Sequence, residues 1–254
     1  MNLLLKFTCA CWLLVSCSSK QSIKYLNDLE QVNIKGHVTK LVTETYGVDS
    51  VGQIGKLEST TIEIFSKNGN TITDTTWDLM ETNVIVENLL FNENGFLSSL
   101  SHFENGKLQS KMVLKYENSK CIAMEIYDSN DKLESYHDNI RQTKFWLLSS
   151  LDSYDANGKL TMSYVNKYDS IYQIRATAKD SIGMLTSEVK IQLTDKKYPK
   201  NMLEVTYFKD STTKSYFSYE YESWDTMGNW IRQTVFNDKG KAIKFVNRIF
   251  SYEH

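Results

Sequence analysis

Short turn sequences built around Asn, Asp and Gly recur along most of the chain, each following an aromatic residue. They occur at residues 65–70, 91–96, 103–108, 127–133 and 154–160, with two late copies at 224–230 and 236–241. Asn-Gly between strand-like runs is the strongest short-range signal for a hairpin, because both residues tolerate the positive φ of a type I′ turn. The turns therefore predict a chain that folds back on itself repeatedly.

The spacing of the turns and the alternation between them indicate strands. Gly95 and Gly106 are 11 residues apart and Gly228 and Gly240 are 12 apart, which suits one strand and one turn. Within residues 108–116, every second side chain lies on a mainly apolar face and the intervening ones on a mainly polar face. Such alternation is typical of an antiparallel sheet that is covered on one side.

These patterns predict an all-β domain over residues 36–254. A sheet with one apolar face must bury that face by curling, by stacking a second sheet or by closing. We expect an antiparallel meander of β-hairpin repeats that forms a long twisted or curled sheet, in preference to a closed barrel, with a sandwich-like stack as the alternative. Residues 23–33 have an ambiguous period and could form a short helical turn or an extended lead-in.

The N-terminal residues have the pattern of an export signal. Lys6 precedes an apolar run over residues 7–15, which has the length of a secretory h-region and is too short to span a bilayer. The sequence Leu-Val-Ser-Cys at 14–17 looks like a lipobox, the motif recognised by bacterial lipoprotein signal peptidase. The resemblance implies a signal peptide over residues 1–16, cleavage before Cys17, and palmitate-type acyl chains on Cys17. Residues 17–35 are then a lipid-anchored tether.

Charge and cysteine content narrow the possible functions. The formal net charge is −2, without a basic stripe or a run of like charges, so we expect no nucleic-acid partner. Of the four cysteines, only Cys121 remains in the folded domain, so no intramolecular disulfide is expected there. Cys121 lies in a strand-like run and is expected to be a buried structural thiol.

The repeat units resemble a known group of sequences. The Tyr-Asp-x-Asn-Gly-Lys-Leu unit at 154–160, and its degenerate copy at 127–133, resemble the YD repeats of RHS-like proteins. The closing segment 219–232 is similar to the C-terminal unit of uncharacterised Bacteroidota lipoproteins, which also carry an early strand like the one at 36–41. This resemblance implies no assigned activity. It does imply an outer-membrane anchor, and because no acidic cluster follows Cys17, a periplasm-facing orientation is favoured over surface exposure.

The search for catalytic and metal-binding motifs yields no positive candidate. The four histidines are widely separated, and no nucleophile elbow, zinc-binding motif or phosphate loop is present. A pair of Cys121 with His102 or His137 is conceivable as a nucleophile and base, but a buried cysteine is the simpler interpretation. We therefore expect no enzymatic activity, no metal and no cofactor.

The aromatic residues near the C-terminus are the candidate ligand-binding residues: Tyr219, Tyr221, Trp224 and Trp230. Exposed Tyr and Trp rings can serve as platforms for sugar rings or partner proteins. The alternative is that these rings cap hairpins and fill the buried face of the sheet.

The sequence thus predicts a membrane-anchored envelope lipoprotein with a non-catalytic β-repeat body, acting as a binding or scaffold module. Its partner would be an envelope protein or a glycan, in addition to the membrane reached through Cys17. The alternative is a carbohydrate-active enzyme or a glycan-binding protein of the envelope, which would require a pocket holding two carboxyl groups in different environments.

Overall fold

The structure is a computed structural model that describes residues 28–31, 33–93, 95–143 and 147–253. The predicted signal peptide and Cys17 lie outside these residues. Helix α1 is Asp28–Gln31, a single turn, and the described residues contain sixteen strands. The strands are β1 (Val38–Val48), β2 (Ile54–Phe65), β3 (Thr71–Asp78), β4 (Asn83–Phe91), β5 (Leu97–Glu104), β6 (Lys107–Glu117), β7 (Lys120–Asp128), β8 (Leu133–Gln142), β9 (Leu148–Asp155), β10 (Leu160–Asp169), β11 (Tyr172–Asp180), β12 (Leu185–Leu193), β13 (Pro199–Tyr207), β14 (Thr212–Trp224), β15 (Trp230–Phe236) and β16 (Ala242–Tyr252).

All the strands belong to one antiparallel sheet, which closes into a barrel because β1 pairs with β16. The prediction of an all-β fold is confirmed. The prediction of a long twisted or curled sheet, with a sandwich as its alternative, is wrong. Closure places Leu41 opposite Phe250 and Thr43 opposite Arg248. An open meander would leave two edge strands with unpaired backbone groups, and closure removes both edges.

The turn at 155–159 shows how the repeat unit makes a hairpin. The Asp155 Oδ1 atom accepts hydrogen bonds from the backbone N–H groups of Asn157 and Lys159, both at 2.9 Å. Gly158 takes the left-handed conformation, with φ of 81°, whereas Asn157 keeps a negative φ. The turn is therefore a bulged one, with one left-handed residue, rather than type I′. The type I′ geometry is found at Asn105 and Gly106, whose φ values are 50° and 75°.

The interior of the barrel contains two apolar clusters. One lies on β4 to β9 and comprises Leu89, Leu97, Leu100, Leu114, Cys121, Met124, Leu148 and Leu151. The other lies beside β1 and comprises Leu29, Ile34, Val38, Leu41 and Phe65. Because a barrel has a single wall, these buried side chains face inward.

The outer face of the wall carries charged residues beside exposed apolar ones such as Val165 and Ile249. Lys115 and Glu125 form an ion pair and alternate along their strands with the buried Leu114 and Met124, so they face outward. A second outward group centres on Glu188, which pairs with Lys190 at 3.0 Å and with Arg175. Glu125, Glu188 and Lys190 lie in the middle of their strands, where a membrane-spanning barrel would carry an apolar band.

Residues 28–31 and 33–37 form a strap across the mouth of the barrel at which β1 begins and β16 ends, called here the N-terminal mouth. The strap residues Leu29 and Ile34 have buried side chains. The Asp28 Oδ2 atom accepts a hydrogen bond from the backbone N–H of Thr71 at 2.7 Å. On the far side, the Tyr198 hydroxyl donates to the carbonyl of Asn33 at 3.1 Å. The later part of the predicted tether is thus packed against the barrel.

The strap is fixed to β15 by one side chain. Asn229 accepts the backbone N–H of Lys35 at 2.7 Å and donates to the Lys35 carbonyl at 2.9 Å. Among the described residues, no helix is long and apolar enough to cross a membrane.

Candidate functional site

Five side chains from the C-terminal strands meet inside the barrel near the N-terminal mouth. They form the Arg248–aromatic cluster, which comprises Tyr198, Tyr221, Trp224, Trp230 and Arg248. Tyr198 directly precedes β13, and the others lie on β14, β15 and β16. Antiparallel pairing brings them together, since Trp224 lies opposite Trp230 in the register of β14 and β15.

The four rings pack against one another in tilted and edge-on arrangements. The Tyr221 ring centroid lies 5.5 Å from those of Tyr198 and Trp230 and 6.0 Å from that of Trp224. The Tyr221 hydroxyl donates to the carbonyl of Pro199 at 2.8 Å, which fixes its ring. Such contacts between ring edges and faces stabilise a defined arrangement of rings. The aromatic wall is therefore preorganised.

Arg248 is the cation inside this cluster, and the ammonium of Lys196 lies at its edge, 4.2 Å from the centroid of the Trp224 ring. The guanidinium carbon of Arg248 lies 3.8 Å from the centroid of the Trp230 ring, a cation–π contact. Among the described residues Arg248 has no ion pair and no hydrogen bond, and Nε is buried without a partner. Desolvation by the surrounding protein lowers the pKa of Arg248 to about 10, so the group stays charged at neutral pH. A buried charge without a counter-ion is unusual.

The predicted ligand-binding residues are found in different positions. Three of them, Tyr221, Trp224 and Trp230, belong to the cluster, in which Trp230 is buried. Tyr219 lies on the same face of β14, farther from the N-terminal mouth, with its hydroxyl 3.8 Å from the sulfur of Met202. Burial raises the pKa of Tyr219 to about 12. The rings thus form part of the inner wall, and none of them projects from the outer surface.

Tyr198 and Arg248 were not singled out from the sequence. Tyr198 follows a turn without the Asn-Gly signature, and Arg248 lies in a strand of ordinary composition. The one sequence signal for Arg248 is its position. It lies between the apolar residues Val246 and Phe250 on the inward face of β16. A charged residue at an inward position is informative because such residues are rarely buried unless paired.

An acidic row lies on the inner face of β2, β3 and β4. Glu63 is directly opposite Asp74, and Asp74 is directly opposite Glu87. Next to them, His102 Nδ1 lies 3.2 Å from the Glu87 carboxylate. These carboxyl groups face inward because Glu63 lies opposite the buried Leu41.

Burial and mutual repulsion alter the ionisation of the acidic row. Burial, with the neighbouring charges of Glu63 and Glu87, raises the pKa of Asp74 to about 7. Burial also raises the pKa of Glu63, although the positive charge of Arg248 acts in the opposite direction. Glu63 and Arg248 therefore influence each other through space without forming an ion pair. Both residues retain some accessible surface.

The other candidate groups lie elsewhere. Cys121 is buried, with Sγ 3.6 Å from the carbonyl of Ala123, and burial raises its pKa to about 12, which leaves the thiol protonated at neutral pH. Burial lowers the pKa of His137 to about 4. In the described part of the chain, no group of three or more His, Cys, Asp or Glu residues could hold a metal ion.

A groove lies between the strap and the β2–β3 turn, at the N-terminal mouth. It has a volume of about 560 Å³ and is lined by strap residues and by the β2–β3 turn, including Leu29, Ile34, Phe65 and Gly69. Its lining carries Glu30, Lys35, Lys67 and Glu253, two acids and two bases. The groove thus has no net charge preference.

Comparison with known proteins shows similarity of fold alone. No protein-family model and no curated protein sequence matches the chain. The crystal structure of a porin-like protein from Bacteroides uniformis is similar, with a TM-score of 0.55 at 8% sequence identity, covering 84% of this chain and 98% of that protein. A porin-like protein from Bacteroides vulgatus aligns over 86% of this chain and 99% of its own, at 10% identity and a TM-score of 0.37. The first match shows a shared all-β barrel fold, and the second is too distant to support an argument.

Proposed function

We propose that this chain is a non-catalytic lipoprotein of a bacterial cell envelope, whose closed barrel lies outside the bilayer and binds a ligand or partner. Acyl chains on Cys17 hold it to the outer membrane, with the barrel facing the periplasm. The similarity to a porin-like barrel from Bacteroides is consistent with an envelope location. The resemblance of the closing segment 219–232 to Bacteroidota lipoproteins points to the same group of bacteria.

The observation that carries the proposal is the charge of the outer wall. A transmembrane barrel presents an apolar band about 25 Å tall to lipid and keeps its polar residues inside. Here Glu125, Glu188 and Lys190 are outward charges at mid-strand, with Lys115 paired to Glu125 from near the end of β6, and apolar clusters fill parts of the interior. Because charged groups on a lipid face cost about 2–4 kcal/mol each near the bilayer midplane, this wall favours water.

The position of the strap fits an anchor at Cys17. The strap crosses the N-terminal mouth and begins at Asp28, so the tether would leave the barrel at that end. Ten residues lie between Cys17 and Asp28, so the two are at most about 40 Å apart when the chain is extended. The N-terminal mouth would then lie toward the membrane, with the opposite end of the barrel directed away from it.

A binding role is favoured over a structural one by the Arg248–aromatic cluster. A passive spacer has no need for an unpaired arginine beside an ordered aromatic wall, since replacing such a group with a packed apolar residue is often stabilising. The same cluster would also serve a glycan, because sugar rings stack on Tyr and Trp.

Metabolic labelling with a palmitate analogue tests the anchor. Labelling of the wild-type chain and partition into the detergent phase are expected, and Cys17→Ser should abolish both while leaving the barrel folded. As a matched control, Cys121→Ser should be labelled like the wild type. The acyl-free chain from residue 18 onward should stay in solution in buffer without detergent, and should not aggregate. If it requires detergent to stay in solution, the barrel spans lipid and the proposal is wrong.

A further inference from the structure

We propose that the interior of the barrel binds a small zwitterionic ligand, with its carboxylate on Arg248 and its ammonium group on the acidic row. The ligand class meant is an amino acid, a short peptide or a similar molecule with both charges. This inference rests on the proposed binding function and names the chemistry of its ligand.

The anion half of the site is Arg248. A guanidinium group pairs with a carboxylate through two parallel hydrogen bonds, and stacking on an aromatic ring orients its plane in advance. Arg248 stacks on Trp230 and makes no hydrogen bond or ion pair with the described residues. Since the side chain lies deep in the barrel yet keeps accessible surface, its free donors face the internal space. A ligand carboxylate would satisfy them.

The cation half of the site is the acidic row. Carboxylates directly opposite each other on neighbouring strands repel, which destabilises the sheet. Glu63 has no hydrogen bond or ion pair with the described residues, and Asp74 accepts only a long one, at 3.5 Å, from Thr76. An ammonium group between Glu63 and Asp74 would relieve this repulsion. His102 contacts only the far end of the row, at Glu87.

The two halves together select a ligand of both charges. A simple anion at Arg248 would be repelled by the carboxylates of the acidic row, and a simple cation at the row would be repelled by Arg248. A metal ion is a poor alternative, because no group of three or more ligating side chains occurs among the described residues. A zwitterion complements both halves of the site at the same time.

The interior offers room and a route to this site. Side chains that share the inward face with Arg248 on β1 to β3 are small: Thr43, Thr45, Ser59, Thr61 and Thr76. Side chains of this size would accommodate a ligand on the side away from the N-terminal mouth, and the strap covers that mouth. A ligand would therefore enter from the opposite end, and its carbon chain would lie against Tyr221 and its neighbouring rings.

The distance between the two charges of the ligand can be measured with a series of probes. Isothermal titration calorimetry of the acyl-free chain, from residue 18 onward, would use ω-amino carboxylic acids from 4-aminobutyrate to 8-aminooctanoate. Hexanoate and hexylamine serve as single-charge controls. We expect one chain length to bind best, and both controls to bind at least tenfold more weakly.

Matched variants assign each half of the site. Arg248→Gln should weaken binding of the best probe at least tenfold, whereas Arg232→Gln, on the exposed outer face of β15, should leave it unchanged. Glu63→Gln and Asp74→Asn should each weaken it, and these isosteric changes carry the test if Arg248→Gln does not fold. Binding of hexanoate as tight as that of the best amino acid, binding that survives all three changes, or no binding by any probe would overturn the inference. None of these results affects the labelling of Cys17, so the two proposals fail separately.

Discussion

Leu41 of β1 lies directly opposite Phe250 of β16, at the seam where the two ends of the chain close the barrel. Leu41 is 1% exposed and packs with the buried residues beneath the strap. The seam therefore joins strand pairing to the apolar cluster that holds the strap.

Truncation of Leu41 should destabilise the whole barrel. Leu41→Ala leaves a cavity in a packed cluster, and such changes lower the free energy of unfolding by about 2–5 kcal/mol. Ile249→Ala, on the exposed outer face of the adjacent strand, should cost less than about 1 kcal/mol. Urea denaturation followed by tryptophan fluorescence measures both. Equal losses for the two variants would mean that Leu41 does not pack at the seam.

The two kinds of Asn-Gly turn should respond differently to alanine. Asn105 has φ of 50° and its Oδ1 accepts the N–H of Val84 at 2.9 Å, so Asn105→Ala should cost about 1–2 kcal/mol. Asn157 has a negative φ and is exposed, so Asn157→Ala should be nearly neutral. Thermal unfolding of the two variants decides the matter, and a reversed order would contradict the assigned turn types.

Gly158→Ala tests how much the left-handed backbone conformation in the repeat unit depends on glycine. An added Cβ would meet the Tyr136 hydroxyl at 3.5 Å, an ordinary contact, so space is not limiting. The cost should come from the left-handed backbone, about 1–2 kcal/mol. Gly158→Asn should recover part of this loss, because Asn tolerates the left-handed region better than Ala. Identical stabilities for the Ala and Asn variants would argue against backbone strain.

The local part of the fold was predictable from the sequence, and the long-range part was not. The turn at 154–160 and the alternation around Leu114 identified strands and hairpins, because both depend on residues close in the chain. Closure depends on pairing between β1 and β16, and no local sequence pattern in either strand identifies the other as its partner. The same physics limited the prediction of the site. Trp224 and Trp230 were found because one hairpin joins them, whereas Arg248 reaches them only through the closed sheet.

Asn229 should control the attachment of the strap. It is 1% exposed and pairs with both backbone groups of Lys35, so Asn229→Ala would leave that part-buried donor and acceptor without their side-chain partner, at a cost of about 1–2 kcal/mol. Hydrogen exchange should then become faster in the strap while β6 and β7 stay protected. Asn201→Ala, which removes an exposed side-chain hydrogen bond to Gln192, is the control. Uniformly faster exchange throughout the barrel would show that Asn229 stabilises more than the strap.

Asp28 should make stability depend on pH in an unusual direction. Burial raises its pKa from 3.8 to about 7, although the hydrogen bond from Thr71 acts in the opposite direction. The folded chain thus holds a proton that the unfolded chain releases between about pH 4 and 7, so this residue lowers the free energy of unfolding as the pH rises through that range. Asp74 contributes with the same sign.

Replacement of Asp28 by Asn separates its contribution from the others. Asn retains an acceptor for the Thr71 N–H but does not titrate, so Asp28→Asn should gain stability relative to the wild type as the pH rises from 4 to 7, and the difference should be constant above that range. Asp210→Asn, in the exposed β13–β14 turn, should follow the wild type at every pH. Urea denaturation at half-unit pH intervals gives the difference directly. If the difference between Asp28→Asn and the wild type shrinks with rising pH, the carboxylate is stabilised in the folded state and the strap is held by a charge rather than by a neutral acid.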